Sequence, residues 1–278
     1  MNSKLIDRLS NSIFVFSGFL TLSVLILVVG FILINGLSAV DFEFLLSNPI
    51  DSGESGGIFP MILSTIYLLL ITASISIPIG VASSVYISEY ATNKNLINAI
   101  GFISQVLSAV PSIVFGLFGL AFLVFFLKLG WSIFTGGIVL ALMAIPTIFQ
   151  VSAVTLQSIP DSYRECCYAM GASKWQCIVS VLLPIAIPGI FTGVILAITR
   201  AVSEAASVMY VVGSSRDVPI SIFDTGRPLP LHLYILASEG ISMDNAYGTA
   251  TVLIVIVLII TLFSNVVVNN YQKKLMGC

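Results

Sequence analysis

The sequence predicts an all-α integral membrane protein with six transmembrane helices and a further helix at the cytoplasmic face. Of its 278 residues, 58% are hydrophobic and only 9% are charged, whereas about 25% of the residues in an average soluble domain are charged. The apolar residues form long blocks, and six of these blocks meet or approach the roughly 20 residues that a helix needs to cross a bilayer. A net charge of -2 and the lack of a basic run give no support to a nucleic-acid partner.

The six blocks are predicted to be spans in chain order. They lie near residues 13–35, 59–88, 102–127, 132–157, 178–212 and 248–270. Lys4 and Arg8 precede the first block, as in a signal peptide. The block is too long for a signal peptide and no small-residue cleavage site follows it, so we expect a retained helix. Residues 1–278 are expected to form one domain, with a first helix and outer loop in 1–58 and a core in 59–270.

The orientation of the chain is predicted from the basic residues of its short loops, which concentrate on the cytoplasmic side. Both termini are predicted to lie in the cytoplasm, because this orientation places seven basic residues inside and three outside. The inner residues are Lys4, Arg8, Lys94, Arg164, Lys174, Lys273 and Lys274, and the outer residues are Lys128, Arg216 and Arg227. All four cysteines would then lie inside, where thiols stay reduced, and their spacing matches no zinc site: Cys166, Cys167, Cys177 and Cys278. We expect neither a metal nor a cofactor.

Two connections are long enough to hold structure of their own, a polar cytoplasmic loop at 158–177 and an outer loop at 213–247. We expect short helices in both, since long loops without structure are uncommon. In the cytoplasmic loop, Asp161 or Ser162 can cap the start of a helix, and Gly171 is placed to end it. The resulting amphipathic helix would either dock in a groove of another protein or lie on lipid headgroups.

The cytoplasmic loop resembles the signature loop of the permeases of ABC importers. That family pattern is Glu-Ala-Ala, three residues, Gly, nine residues, then Ile-x-Leu-Pro. Here Glu-Cys-Cys stands at 165–167, followed by Gly171 and by Val-Leu-Leu-Pro at 181–184, all at the family's offsets. The departures are small, because cysteine packs as a small hydrophobe and valine is close to isoleucine.

This resemblance implies a type I ABC importer permease, whose cytoplasmic loop contains a coupling helix that docks into an ATPase subunit. The implied coupling residues are Glu165, Cys166, Cys167, Gly171, Ala172 and Pro184. Over about residues 55–270 the chain is similar to the phosphate permeases of the PstA type, in the stretches 56–60, 77–81, 88–91, 110–119, 144–148, 189–197 and 229–234. It departs from them in having Ser203 within Arg-Ala-Val-Ser-Glu-Ala, where the family has Arg-Ala-x-Gly-Glu-Thr. It also has Gln150 where a basic residue often follows Pro-Thr-Ile.

Arg200 and Glu204 are opposite charges at i,i+4 spacing within the fifth predicted span. A charge inside a bilayer costs about 2.5–3.5 kcal/mol on insertion scales, so such residues tend to face the bundle interior and to pair. Arg200 could bind an oxyanion through two parallel hydrogen bonds, and Glu204 could hold it when substrate is absent. Thr199 and Ser203 could donate to the same anion. The alternative is a purely structural ion pair.

The same predicted helix carries a stripe of small residues at intervals of four, namely Gly189, Gly193, Ala197, Ala201 and Ala205. Such a stripe lets another helix approach closely. It suits a subunit interface whose charges turn toward a central pathway, and equally suits packing inside one subunit. The spacing alone does not separate these alternatives.

The chain has no Walker-type Gly-x-x-x-x-Gly-Lys-Ser/Thr motif, so it is not expected to hydrolyse ATP. As the resemblance implies, we expect the permease subunit of an ATP-driven phosphate importer, a non-enzymatic protein in a bacterial or archaeal plasma (inner) membrane. Its partners would be the lipid bilayer, an ATP-binding cassette ATPase dimer, a second permease subunit of the PstC type or a copy of itself, and an extracytoplasmic phosphate-binding protein.

Two other hypotheses remain open. The first is an ABC permease for another oxyanion, such as molybdate, tungstate, sulfate or phosphonate, which the Gln150 and Ser203 departures support. The second is an ion-coupled secondary transporter, for which more spans and an internal repeat would be expected. A membrane enzyme is disfavoured, because the predicted spans contain no cluster of acids, bases or metal ligands.

Overall fold

A computed structural model of the chain describes residues 3–276, which are mostly helical. The α-helices of this part are α1 (Ser3–Gly36), α2 (Phe42–Leu46), α3 (Phe59–Val85), α4 (Lys94–Ala109), α5 (Ser112–Phe118), α6 (Ile133–Gln157), α7 (Asp161–Ala169), α8 (Lys174–Cys177), α9 (Leu183–Val202), α10 (Leu229–Ser238) and α11 (Met243–Met276). Turns of π-helix extend α3 over Tyr86–Tyr90, extend α5 over Gly119–Phe126 and join α8 to α9 over Ile178–Leu182. A short hairpin pairs β1 (Pro49–Ile50) antiparallel to β2 (Ser55–Gly56), with Pro49 opposite Gly56. Cys278, expected with the other cysteines, lies outside the described residues.

Within the described residues, five helical stretches are long and apolar enough to cross a membrane, or six if one bent pair counts as a span. The five are Ser10–Ala39, Phe59–Tyr90, Ile133–Gln157, Lys174–Val202 and Met243–Tyr271. The expected all-α membrane fold is therefore confirmed. The first, second, fourth and sixth predicted spans are each present, with ends shifted by up to several residues.

The third predicted span, 102–127, is not one helix. It consists of the end of α4 and of α5 with its π-helical extension, and these two parts meet at an angle of 98°. Val110, at the corner, has extended backbone (φ -66°, ψ 130°) because it precedes Pro111. Pro111 also lacks the N–H that would continue a helix, so the apolar block breaks where its proline stands.

The fifth predicted span, 178–212, ends ten residues early, since α9 stops at Val202. The apolar residues that follow are buried without forming a continuous helix. Val208, Val211 and Val212 are fully enclosed in the core that α5 and α6 also form. Their hydrophobicity reflects burial in the protein, which irregular backbone can also achieve, and this is why the composition overestimated the helix.

The central helix of the fold is α6. In its most apolar 18-residue segment 61% of the residues are buried, compared with 28% in the corresponding segments of the α3 and α9 spans. Helices α3 and α9 both pack closely on it. Gly80 of α3 lies against Ile148, and a Cβ on Gly193 of α9 would come within 2.9 Å of the Val151 Cβ. These close approaches set the spacing of the three core helices.

The stripe of small residues in the fifth span takes part in this packing. Ala197 and Ala201 are 2% and 4% exposed, and Gly189 lies against Thr155 of α6. Of the two roles left open by the sequence, packing inside one chain is the one that the structure shows for these residues. Ala205 lies beyond the end of α9.

Helices α1, α10 and α11 lie around this core. α1 meets α11 near its own C-terminal end, where Gly36 lies against the Tyr247 backbone and the Phe31 ring meets the Tyr247 ring edge-on at 5.8 Å. α10 confirms the short helix expected in the outer loop. The Leu229 N–H at its start donates to Thr65 Oγ1 at 2.9 Å, which attaches the loop to α3.

Candidate functional site

Arg200, the arginine of the fifth predicted span, lies in the last turn of α9, beside the middle of α6. It borders a small crevice, of about 10 Å³, together with Leu140 and Thr147 from the central turns of α6. The Arg200 side chain is 48% exposed, whereas Ala197 and Ala201 beside it are buried against α6. The guanidinium therefore extends from the open face of α9, away from the core.

Arg200 and Glu204 are paired across the end of the helix. The Arg200 Nε atom lies 3.8 Å from Glu204 Oε1, and the Glu204 side chain is 14% exposed. The expected pair is thus present, but its placement within one span is wrong, because α9 ends at Val202 and Glu204 follows in irregular backbone. A distance of 3.8 Å is too long for a hydrogen bond, so the pair is loose.

Helix α9 ends beside the central turns of α6, and irregular backbone follows its last residue, Val202. Irregular backbone within a membrane is tolerated where protein covers it or where it lines a water-filled cavity. Broken helices near the midplane form the substrate sites of many transporters. An arginine at such a break can donate two parallel hydrogen bonds to an oxyanion, and the nearby carboxylate balances its charge when the anion is absent.

The two hydroxyls predicted beside Arg200 occupy different environments. Ser203 is exposed, and its Oγ donates to the Thr199 carbonyl at 3.2 Å. The Thr199 Oγ1 atom is buried and finds no hydrogen-bond partner among the described residues. The structure therefore brings all four predicted pathway residues together at the end of α9, with Ser203 on the open side and Thr199 enclosed.

The second candidate site is the cytoplasmic loop, where the predicted helix is confirmed as α7. Its start differs from expectation, because Pro160 is the N-cap and Asp161 accepts from Arg164 Nη1 at 3.1 Å instead of capping the helix. Its end is as predicted. Gly171 has φ +79°, and the N–H groups of Gly171 and Ala172 donate back to Tyr168 and Cys167, as in a Schellman motif.

Further local bonds fix the path from α7 into α9. The Ser173 and Gln176 side chains form a reciprocal capping box at the start of α8. Pro184 then follows the π-helical turn, as the second residue of α9. The signature positions of the loop are thus held in one rigid stretch of chain.

The signature loop presents an exposed surface that combines charge with apolar groups. Glu165 and Cys166 are exposed on α7, whereas Cys167 is buried beneath it. Beyond the helix, Met170 is 86% exposed and Trp175 is 63% exposed. Large apolar side chains exposed beside a polar helix are typical of a protein interaction site.

One feature of this site was not predicted from the sequence, a buried ion pair between Arg164 and Glu89. Arg164 Nη2 lies 2.7 Å from Glu89 Oε1, and the Glu89 side chain is 3% exposed. The hydrogen bond to Glu89 raises the pKa of the Arg164 guanidinium above its usual value, against the opposing effect of burial. The available signal was a carboxylate, Glu89, at the end of an apolar span.

Comparisons with known proteins agree on the family. A family model described as the binding-protein-dependent transport system inner membrane component matches residues 76–277. The probable ABC transporter permease protein YqgI of Bacillus subtilis (strain 168) is 32% identical and is covered over 99% of each chain. The phosphate transport system permease protein PstA of Mycobacterium leprae (strain TN) is 32% identical over 81% of this chain and 74% of its own length.

Two solved structures share the fold. A chain of a bacterial ABC transporter involved in the import of the acidic polysaccharide alginate is 14% identical, with a TM-score of 0.66 over 96% of this chain and 99% of its own. A chain of the MetNI methionine ABC transporter, in an inward-facing conformation, is 20% identical, with a TM-score of 0.62 over 77% of this chain and 94% of its own. At these identities the likeness concerns the fold alone.

Proposed function

This chain belongs to the family of binding-protein-dependent transport system inner membrane components, and we propose that it is the permease subunit of an ATP-driven importer of inorganic phosphate. The permease part of this proposal follows from the family. The phosphate part is supported by the similarity to PstA proteins over most of the chain. The observation that carries it in the structure is Arg200, a half-exposed cation at the end of α9, beside the central turns of α6.

The proposed role of Arg200 is to receive phosphate in the pathway. Its side chain extends from the open face of α9, where contact with lipid tails would be unfavourable and a polar pathway would be favourable. Phosphate would displace Glu204, which is held only loosely at 3.8 Å. When phosphate leaves, the pair can reform, so release does not strand an uncompensated charge.

The proposed partners follow from the surfaces of the chain. The exposed face of α7, with Glu165 and Cys166, would dock on an ATPase dimer that supplies the energy. The open face of α9 would meet a second permease subunit, of the PstC type or a copy of this chain, to close the pathway. The outer loop around α10 would receive phosphate from an extracytoplasmic phosphate-binding protein.

Uptake of radioactive phosphate by vesicles that contain the assembled complex tests the cargo. We expect uptake that requires ATP on the ATPase side and that excess sulfate or molybdate does not inhibit. ATP-dependent uptake of one of those anions, with none of phosphate, would leave the permease assignment in place and replace the cargo.

One structural observation favours the second candidate cargo, another oxyanion. Gln150 of α6, where phosphate permeases often carry a basic residue, donates from Nε2 to the hydroxyls of Ser104 and Ser108, each at 3.1 Å. This cluster is polar but uncharged, so the position lacks the positive charge that phosphate permeases often place there. The competition experiment above distinguishes the two cargoes.

Docking of the ATPase on α7 can be tested with the cysteines of the chain. Cys166 is exposed, whereas Cys167 and Cys177 are buried. In a Cys278→Ser variant we expect a maleimide reagent to label Cys166, and labelling to fall severalfold when the ATPase subunit is bound. A Cys166→Ala variant in the same background should lose the label, which identifies the site. Equal labelling of Cys166 with and without bound ATPase would contradict docking on this face.

A further inference from the structure

The buried ion pair between Glu89 and Arg164 joins two parts of the chain that are 75 residues apart in sequence. Arg164 Nη2 lies 2.7 Å from Glu89 Oε1, and Arg164 Nε donates to both Glu89 oxygens at 3.3 Å. The side chains are 16% and 3% exposed. Glu89 lies in the π-helical turn that ends the α3 span, so the pair connects the inner end of that span to α7.

The remaining bonds of Arg164 reach a third element. Its Nη1 donates to the Ile159 carbonyl at 2.9 Å, and its Nη2 donates to the Leu156 carbonyl at 3.1 Å. Leu156 is in the last turn of α6, where carbonyls have no partner within the helix and attract a cation. One guanidinium therefore holds the ends of α3 and α6 and the start of α7 together.

Few other contacts hold α7 to the core. Within this helix, which lies wholly in the described part of the chain, Cys167 is the buried residue. It belongs to an apolar cluster with Leu156, Cys177 and Ile178, which lies under the helix. The other α7 side chains are largely exposed. A force applied to α7 by a docked protein would thus reach α3, which is not its neighbour in the chain, through Cys167 packing and through the Arg164 bonds.

These two attachments differ mechanically. Apolar packing is non-directional and allows α7 to slide, whereas a bidentate, charge-assisted bond fixes both distance and direction. A buried ion pair is a weak means of stabilising a fold, because the cost of desolvation offsets much of the attraction. The Glu89 carboxylate belongs to a π-helical turn, and such turns are common at functional sites.

We propose that the Glu89–Arg164 pair is the rigid link that passes movement of the coupling helix α7 to α3, and so couples ATP hydrolysis to opening of the pathway. Both residues are positioning residues, since neither touches the substrate. α3 packs along α6, whose central turns border the Arg200 crevice, so a displaced α3 changes the walls of the site. This inference rests on the proposed function, in which a docked ATPase drives transport.

The test is the ratio of anion transported to ATP hydrolysed by the assembled complex in proteoliposomes. For Glu89→Gln and for Arg164→Gln we expect hydrolysis to continue while the ratio falls by about tenfold or more, a usual size for coupling between sites. The double variant should be no worse than the poorer single variant, because either change alone breaks the link.

Glu43→Gln is the matched control. It makes the same change of carboxylate to amide at an exposed residue of α2, outside α7 and its ion pairs, so the ratio should stay as in wild type. If Glu89→Gln and Arg164→Gln lower thermal stability and keep the wild-type ratio, the pair is only structural and the proposal is overturned.

A measurement on the unmodified complex covers the case in which the variants fail to assemble. Hydrogen exchange should change together at 86–91 and at 161–170 when a non-hydrolysable ATP analogue is added, and a change at 161–170 alone would overturn the proposal. An incorrect cargo assignment is distinguishable from an incorrect assignment of the Glu89–Arg164 link. If wild type moves a different oxyanion, the ratio measured with that anion still tests the link.

Discussion

Replacement of Arg200 by Gln is expected to reduce phosphate uptake by about a hundredfold, the usual effect of removing one preorganised charged donor from a site. Glutamine keeps a polar side chain but loses the charge and the forked pair of donors that an oxyanion requires. The Arg200 side chain is 48% exposed and pairs only loosely with Glu204, so the complex should still assemble. Radioactive phosphate uptake and the yield of intact complex, measured on the same preparation, check both expectations.

Two further variants test whether phosphate uptake depends on the guanidinium group itself and on its position at residue 200. Arg200→Lys keeps the charge and loses the fork, so uptake should fall between that of wild type and that of Arg200→Gln. Lys128→Gln removes a positive charge from an exposed residue outside α9 and should transport phosphate nearly as well as wild type. Normal uptake by Arg200→Gln, with a lowered thermal stability, would support the structural ion pair instead.

The composition placed well those spans in which one apolar block forms one continuous helix, whether the helix is largely buried in the protein, as α6 is, or exposed, as α1 is. The type I ABC importer fold implied by the signature loop is confirmed. Its two misplaced spans have local causes. At Pro111 the apolar residues continue, but the helix cannot. Hydrophobicity alone does not predict the 98° angle between the two helical parts on either side of this proline. After Val202 the apolar residues are buried among neighbouring helices as irregular backbone, and a composition count does not distinguish this from a span.

Features of the candidate sites were predictable where they depend on residues that are close together in the sequence. The helix of the signature loop ends at Gly171 because a glycine adopts φ +79° without strain, and the position of that glycine is visible in the sequence. Arg200 and Glu204 were found because charges are rare in apolar blocks. The Glu89–Arg164 pair was missed because it depends on how α3 and α7 meet, and one sequence without its fold does not reveal contacts across 75 residues.

Replacement of Gly189 by Val is expected to have the largest effect on the folded state. Even a Cβ at this position would overlap Thr155 Oγ1 and Cγ2 of α6 and would lie 2.9 Å from its Cβ. Overpacking of this kind typically costs about 1–3 kcal/mol, and valine adds two further methyl groups. We expect a lower thermal unfolding temperature of the purified protein and a smaller yield of assembled complex.

Two further variants separate the effect of overlap with Thr155 from the effect of losing a helical glycine. Gly101→Val in α4 makes the same change where no atom lies within 4 Å of the new Cβ, so it should unfold nearly as wild type does. Thr155→Ala should partly rescue Gly189→Ala, because it removes two of the three overlapping atoms. If Gly189→Val is as stable as wild type, α9 does not lie this close to α6. The position of Arg200 beside the central turns of α6, which depends on that packing, would then be wrong as well.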